Sequence, residues 1–514
     1  MSAINIAKLM KNLLIFASML AATAAAAAKM NRIEGTATAE GAQTPIVQNI
    51  GIKDHSVTVK FDLTKIEGKT PVSARLGLLC KSAETPATSP SLTFSYKGKE
   101  FAGYTLTGKG KTQETRLNVA PIILEAIKRG EKTAEFKIYS KAPPNSVPQV
   151  EILKATLFIA ADNDVYSFDD IMTTIFDGTK MFGESVFPLK NADGSNASAK
   201  LFFKPKKIEA AYTYKNWRKE YLLENVDYKI DGDNVEFTDK GKFKSFDYSK
   251  IYADTKEAAA KNGKFFFFEN LGKFAFFTEG GWFQQNAVFF DYEHAAQTEF
   301  SLPKRDGKTL EKTAGKLKRG EPLKIVLFGD SIAAGANAQS MTDTPPFAPT
   351  WGEIIAMRLR QIYKGEIEYR NRALGGTTIG WGNLNIENLV LPDNPDLVII
   401  AFGMNDSCAP ELRAKLLKSM TDKVLKKNPD AEFIIVSSMC ANPLWLKKFK
   451  IHDEYAKIDK TLKLDNVAIA DVRSAHKALL SKKKYIDMTG NNVNHPNQFL
   501  IRVYAQTILN LLAP

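Results

Sequence analysis

A serine stands at the end of an apolar run in Lys324-Ile-Val-Leu-Phe-Gly-Asp-Ser-Ile-Ala-Ala-Gly335. Such a run entering Gly329-Asp330-Ser331 sets a hydroxyl on a sharp strand-to-helix turn, where backbone N–H groups point outward and a nucleophile can work. Three further groups follow in order. Gly376 lies in the loop Asn371-Arg-Ala-Leu-Gly-Gly-Thr-Thr378, Asn405 in Gly403-Met-Asn-Asp406, and His495 in Asn491-Asn-Val-Asn-His-Pro-Asn497. Together they fit acyl transfer. A serine hydroxyl needs an adjacent base, here His495, and the tetrahedral intermediate needs pre-placed donors for its oxyanion. The N–H of Ser331, the N–H of Gly376 and the side-chain amide of Asn405 are the candidate donors. Of the other histidines, His55 and His294 fall in β-rich stretches, and His452 and His476 fall on helical patterns or their ends. His495 alone sits in a late loop among small polar residues.

The elements that must position these groups begin at Leu323. Continuous apolar strands (Ile325–Phe328, Ile367–Tyr369, Leu397–Phe402, Phe433–Val436, Val467–Ala470) alternate with helical patterns such as Trp351 to Tyr363 and Pro410 to Lys427. Strands buried on both faces and joined by helices predict a parallel α/β sheet, whose reactive crevice lies at the carboxyl ends of the strands. Residues 324–514 are therefore read as the catalytic domain. Residues 303–323, polar and rich in lysine, are read as a linker.

Two β-rich regions precede it. Residues 45–160 carry short alternating strands such as Ser56-Val-Thr-Val-Lys-Phe-Asp62, with one helical insert from Ala120 to Gly130 that begins on Pro and stops on Gly, the pattern of a β-sandwich accessory module. Residues 165–302 form a second β-rich region, dense in aromatics from Phe265 to Phe290. Exposed aromatics can stack on sugars, but aromatics in alternating strands are read here as core. In residues 1–28, Lys8 and Lys11 precede an apolar run that ends in alanines, the pattern of a cleaved signal peptide, and the expected location is secreted, periplasmic or at a bacterial cell surface. No later stretch is long and apolar enough for stable membrane insertion.

A net charge of +13 is spread over dispersed lysines, without zinc-finger spacing or an aromatic RNA-binding signature, so no nucleic-acid partner is expected. The three cysteines, Cys80, Cys408 and Cys440, are too few for a disulfide framework, and no short-spaced Cys or His pair suggests a metal; no cofactor is expected.

In this order, Gly-Asp-Ser, the loop glycine, Gly-Met-Asn-Asp and the late His-Pro resemble the SGNH (GDSL-type) hydrolases over roughly Lys324 to Pro514. The resemblance implies a flavodoxin-like α/β/α fold and metal-free ester hydrolysis, with Ser331 as nucleophile, Gly376 and Asn405 as oxyanion donors and His495 as base. The region from Met181 to His294 resembles, less specifically, a β domain that precedes this hydrolase in some secreted bacterial carbohydrate esterases. One position departs. The family usually places an Asp three residues before the histidine, and here that residue is Asn492. In a Ser-His-Asp triad, Asp→Asn lowers turnover by about 10⁴ through the wrong tautomer. Three orienters of His495 stay open: the carbonyl of Asn492, another carboxylate (Asp471 first, Asp487 second), or a backbone carbonyl.

The expected activity is removal of acetyl or another small acyl group from a polysaccharide. A lipid esterase or an acyltransferase would use the same residues. A glycan-binding protein with a vestigial hydrolase fold is the alternative of another class.

Overall fold

The computed structural model describes residues 29–34, 36–39, 49–50, 56–67, 71–82, 91–106, 112–139, 150–161, 167–215, 218–241, 243–260, 265–296, 300–462, 464 and 466–512. The signal-peptide reading of residues 1–28 lies outside them. No helix among the described residues is long and apolar enough to cross a membrane.

The N-terminal region is two antiparallel sheets face to face. One runs Lys29–Glu34, Val150–Ala161, Pro71–Ser82, Thr112–Asn118, with Asn49–Ile50 beside Val150–Ala161; the other runs Thr36–Ala39, Val57–Asp62, Thr133–Tyr139, Ser91–Tyr96, Lys99–Thr105. Alternation drives the packing. Val57, Val59 and Phe61 point inward and meet Leu76, Leu78, Phe136 and Ile138 in one core. The expected helix forms at Ala120–Lys128, opened by a proline and ended before Gly130. The sheets also recruit Lys29–Glu34 and Thr36–Ala39, which lie before residue 45 and whose short polar strands carry little apolar pattern.

The named sheets of the middle region are antiparallel. Its largest sheet orders Lys180–Val186, Val288–His294, Pro205–Lys215, Arg218–Tyr221, and a small one pairs Phe265–Phe268 with Lys273–Phe276. Phe268, Phe283, Phe289 and Phe290 are core, as expected, whereas Phe267 is 45% exposed. This region shares one continuous core with the C-terminal part, in which Phe290 and Tyr292 join Trp351 and Tyr504. A fully buried ion pair crosses the junction, with Lys483 Nζ 2.6 Å from Glu184 Oε1. A buried pair of this kind fixes register more than it stabilises, since desolvation offsets most of the attraction.

The stretch read as a linker contains the helix Glu311–Arg319. Leu310, Ala314 and Leu317 are buried, and the Lys312 and Thr313 N–H groups donate to the Glu432 carboxylate at 3.1 and 2.7 Å. Lys316, Lys318 and Arg319 lie in its last turn, and Gly320 closes it in the left-handed region. Leu310, Thr313, Ala314 and Leu317 recur at i, i+3, i+4 and i+7 and form its buried stripe, but with only two leucines among lysines that stripe is too short to stand out in the sequence.

The C-terminal sheet is five-stranded and wholly parallel, ordered Ile367–Asn371, Leu323–Gly329, Leu397–Ala401, Glu432–Val436, Val467–Ala470. Successive side chains serve opposite faces. Ile325, Leu327 and Ile399 pack against Trp351–Ile362 and Gln498–Leu512, while Val326, Phe328 and Ile400 pack against Ile379–Leu389 and Pro410–Lys427. The result is the three-layer α/β/α arrangement expected from the continuous apolar strands. Its order, second strand first, puts the topological switch point between the first and third strands, where such sheets bind ligands. Ser331 follows the first strand, Gly376 the second and Asn405 the third, so all three reach that point.

Candidate active site

Ser331 opens the short helix Ser331–Ala334 and is partly exposed. The turn before it is held by Asp330, 1% exposed, whose carboxylate accepts from the Ile332 N–H at 3.0 Å and the Met404 N–H at 3.2 Å. Burial pushes the Asp330 carboxyl up to about 6. Asp406 makes the next tie. It accepts from the Ile379 N–H at 2.8 Å and from Arg413 at 3.4 Å, joining the Asn405 loop to the helix that follows Gly376. Two buried carboxylates thus lash three strand-end loops together.

Gly375 and Gly376 are exposed at the rim. Gly376 has φ +78°, a left-handed backbone that favours glycine, and a methyl placed on Gly375 would stand 3.7 Å from the Ser331 Cβ. The Asn405 amide donates to the Thr377 carbonyl at 2.9 Å, which fixes its plane and leaves the second N–H of the amide for a ligand.

His495 is 5% exposed, and its Nε2 lies 2.8 Å from the Ser331 Oγ. The loop that carries it is shaped by Asn491, whose Oδ1 accepts from the N–H groups of Val493, Asn494 and His495 at 3.0, 2.9 and 3.0 Å. On the far side of the ring, Nδ1 meets two acceptors: Glu279 Oε2 at 2.8 Å and Asn337 Oδ1 at 2.7 Å. The Asn337 side chain has one consistent orientation. Its Nδ2 donates to the carbonyls of Glu279, Gly280 and Gly490 at 3.2, 3.0 and 3.1 Å, so its oxygen must face the imidazole. Facing two oxygens, Nδ1 carries the proton, and Nε2 is left to accept from the serine hydroxyl.

The expected orienters lie elsewhere. Asn492 is buried with φ +64°, and its bonds go to Thr489 Oγ1 at 2.9 Å, Asn442 Nδ2 at 2.8 Å and the Phe276 carbonyl at 3.4 Å. Its type is explained by backbone, since asparagine tolerates the left-handed region better than other side chains. Asp471 caps Val472–Leu480 through the Ser474 N–H at 3.0 Å, and Asp487 binds the N–H groups of Phe187 and Lys484 at 2.8 and 3.0 Å. Neither carboxylate reaches the ring. Among the other histidines, burial pushes His452 and His476 down to about 3, and His294 stacks on Phe203 with ring centroids 4.2 Å apart. His55 lies outside the described residues.

A family model described as GDSL-like lipase/acylhydrolase matches residues 327–499. The chain carries a GDSL-like lipase/acylhydrolase domain. A search of curated proteins gave no match. Among solved structures, a two-domain esterase active on acetylated mannans is 19% identical, with 39% of this chain and 51% of the other covered and a TM-score of 0.32. The chain therefore spans about half the length of that relative. An acetylxylan esterase from Geobacillus stearothermophilus is 18% identical, with 37% of this chain and 94% of the other covered and a TM-score of 0.31. An acetyl xylan esterase, AlAXEase, is 18% identical with 36% and 98% covered and a TM-score of 0.30.

Two side chains at the GDSL-like site carry no sequence motif. Asn337 follows Ser331 by six residues in an alanine-rich turn, and an asparagine there, suited to its φ of +60°, is the one usable hint. Glu279 lies 216 residues from His495 in the polar turn Thr278-Glu-Gly-Gly281 of the preceding β region. Nothing local marks it. Its place is set by the neighbouring Gln284, whose Oε1 accepts from the Gln498 N–H at 2.9 Å and fastens the Glu279 turn to the last helix.

Proposed function

We propose that this protein is a serine esterase that removes acetyl or another small acyl group from a polysaccharide. The observation that carries the reading is the relay Ser331–His495 at 2.8 Å with Glu279 and Asn337 behind the ring. In this mechanism His495 Nε2 takes the Ser331 proton as Oγ attacks the ester carbonyl. The oxyanion meets the N–H groups of Ser331 and Gly376 and the Asn405 amide. Collapse of the intermediate expels the sugar hydroxyl, which receives the proton from His495. Water then attacks the acyl-enzyme by the same route in reverse roles. Glu279 and Asn337 hold Nδ1–H throughout, and the carboxylate stabilises the imidazolium.

Two features support a bulky, sugar-bearing substrate. The glycines at the rim are exposed, so the ester need not enter a closed cavity. Beside the Asn405 loop, the half-buried rings of Trp445 and Phe266 pack at 4.9 Å, and Lys448 donates to the Asp406 carbonyl, a wall of the kind that stacks on sugar faces. Export, read from the basic, apolar and small residues of 1–28, belongs to the same proposal. The test is acetate release from acetylated mannan, xylan and pectin beside hydrolysis of p-nitrophenyl acetate, with Ser331→Ala as control. Ser331-dependent release from at least one polymer is expected. Hydrolysis confined to long-chain acyl esters would replace this reading with a lipid esterase, and no turnover with retained glycan binding would remove the enzyme.

A further inference from the structure

The loop that presents Gly376 is gripped by the N-terminal β-sandwich, and the grip runs through one arginine. Arg372 is 1% exposed and stands four residues before Gly376. A guanidinium has five N–H donors in a fixed fork, and all five are matched here. Nε and Nη2 donate to the Asp393 carboxylate at 2.8 and 2.9 Å. Nη1 donates to Ser91 Oγ at 3.1 Å and the Leu92 carbonyl at 3.0 Å, and Nη2 reaches Thr93 Oγ1 at 3.2 Å. The backbone is held as well. The Thr105 hydroxyl donates to the Arg372 carbonyl at 3.1 Å. The Arg372 N–H donates at 2.7 Å to the carbonyl of Leu327, in the strand that leads to Ser331. Close approach requires a bare backbone on the sandwich: a methyl on Gly103 would stand 2.5 Å from Arg372 Nη1.

We infer that the N-terminal β-sandwich is a positioning element of the catalytic site, which sets the oxyanion loop through Arg372, rather than a module tethered for substrate capture. The catalytic domain holds the loop at its two ends: Asn371 Nδ2 donates to the Ala333 carbonyl at 2.9 Å, Leu374 N–H to the Gly329 carbonyl at 3.0 Å, and Asn405 Nδ2 to the Thr377 carbonyl at 2.9 Å, and Arg372 adds the sandwich to these ties. Gly375 and Gly376 are exposed and add no side-chain packing of their own. An oxyanion donor misplaced by about 1 Å loses much of its effect on the transition state, while ground-state binding of the substrate is little changed. The positioning role therefore predicts a loss in kcat, with KM nearly constant. A substrate-capture role predicts the reverse.

The inference rests on the esterase reading, and the experiment separates the two. Full-length wild type, Thr93→Val/Thr105→Val and Gly103→Val are compared for kcat and KM on p-nitrophenyl acetate, for affinity toward an alkylboronic acid that mimics the tetrahedral intermediate, and for amide hydrogen exchange in residues 372–378. Thermal unfolding confirms that each variant is folded at the assay temperature. The expected result is an order-of-magnitude fall in kcat, KM within twofold, boronate affinity falling by the same factor as kcat, and faster exchange in 372–378. Folded variants with wild-type kcat and wild-type exchange would overturn the clamp while the esterase stands. Variants that lose only KM on polymer would make the sandwich a binding module. A wild type without Ser331-dependent turnover would sink the esterase reading, and the exchange data would still judge whether the sandwich holds the loop.

Discussion

Removing the Glu279 carboxylate probes the relay behind His495 most sharply. In Glu279→Gln the ring keeps a second acceptor, the Asn337 oxygen at 2.7 Å, so the tautomer that leaves Nε2 free for Ser331 survives. What is lost is a charged acceptor at 2.8 Å when the imidazolium forms. A hydrogen bond to a charged partner is worth about 1.5–3 kcal/mol when buried, and an exposed ion pair about 0–1 kcal/mol. The Glu279 side chain is 54% exposed, so water screens it and a value near about 1.5 kcal/mol is appropriate. At about 1.36 kcal/mol per factor of ten, kcat falls roughly tenfold. Asn337→Ala leaves the charge but frees three carbonyls, and its kcat falls by a similar or somewhat larger factor with a measurable loss of stability. In the double variant Glu279→Leu/Asn337→Ala neither side chain can accept from Nδ1, nothing fixes the tautomer, and the loss approaches that of about 10⁴ seen when a triad acid is disabled. The two losses are therefore more than multiplicative. The assay is steady-state p-nitrophenyl acetate hydrolysis of the two singles and the double, normalised to active sites. A loss of about 10⁴ in Glu279→Gln alone would refute the shared acceptor, and a double variant with wild-type kcat would refute the relay.

Asn405→Ala removes a proposed oxyanion donor and lowers kcat by about 10²–10³, with KM little changed, read by the same assay. Asn492→Gly keeps a residue suited to φ +64° and leaves kcat within about twofold, whereas Asn492→Val, forced into the left-handed region, loses about 1–2 kcal/mol in denaturant unfolding. Asp330 gives a pH signature. Its carboxyl is raised by burial from 3.8 to about 6, so it contributes stability that is present below pH 3.8 and is lost as pH rises through about 6. Unfolding free energies of wild type minus Asp330→Asn should therefore fall between about pH 4 and 7, and a difference flat with pH contradicts the raised value.

The motifs at strand ends were legible because a doubly wound sheet converts sequence order into position. Each apolar run ends in a loop at the switch point, so Ser331, Gly376 and Asn405 could be placed together from their distance to Leu323, Ile367 and Leu397. The sandwich strands were legible from alternation, as Val57, Val59 and Phe61 show. The helix Glu311–Arg319 was hidden because its buried stripe, Leu310, Thr313, Ala314 and Leu317, spans two turns and holds only two strongly apolar residues, so packing and Glu432 add what the pattern lacks. The acid behind His495 was hidden for a different reason. Spacing pointed to Asn492, but that residue answers a backbone demand, and the carboxylate arrives from another region through tertiary contact alone. Glu279 could be reached only once the core shared by the two regions was known.

Ser331, activated by His495, is the proposed nucleophile of an esterase. The measurement that tests this role most directly is intact-protein and peptide mass spectrometry after exposure to a fluorophosphonate. One phosphonyl group per chain on Ser331, lost in Ser331→Ala and strongly slowed in His495→Ala, is predicted. Esterase turnover without an adduct, or with an adduct on another residue, would contradict it.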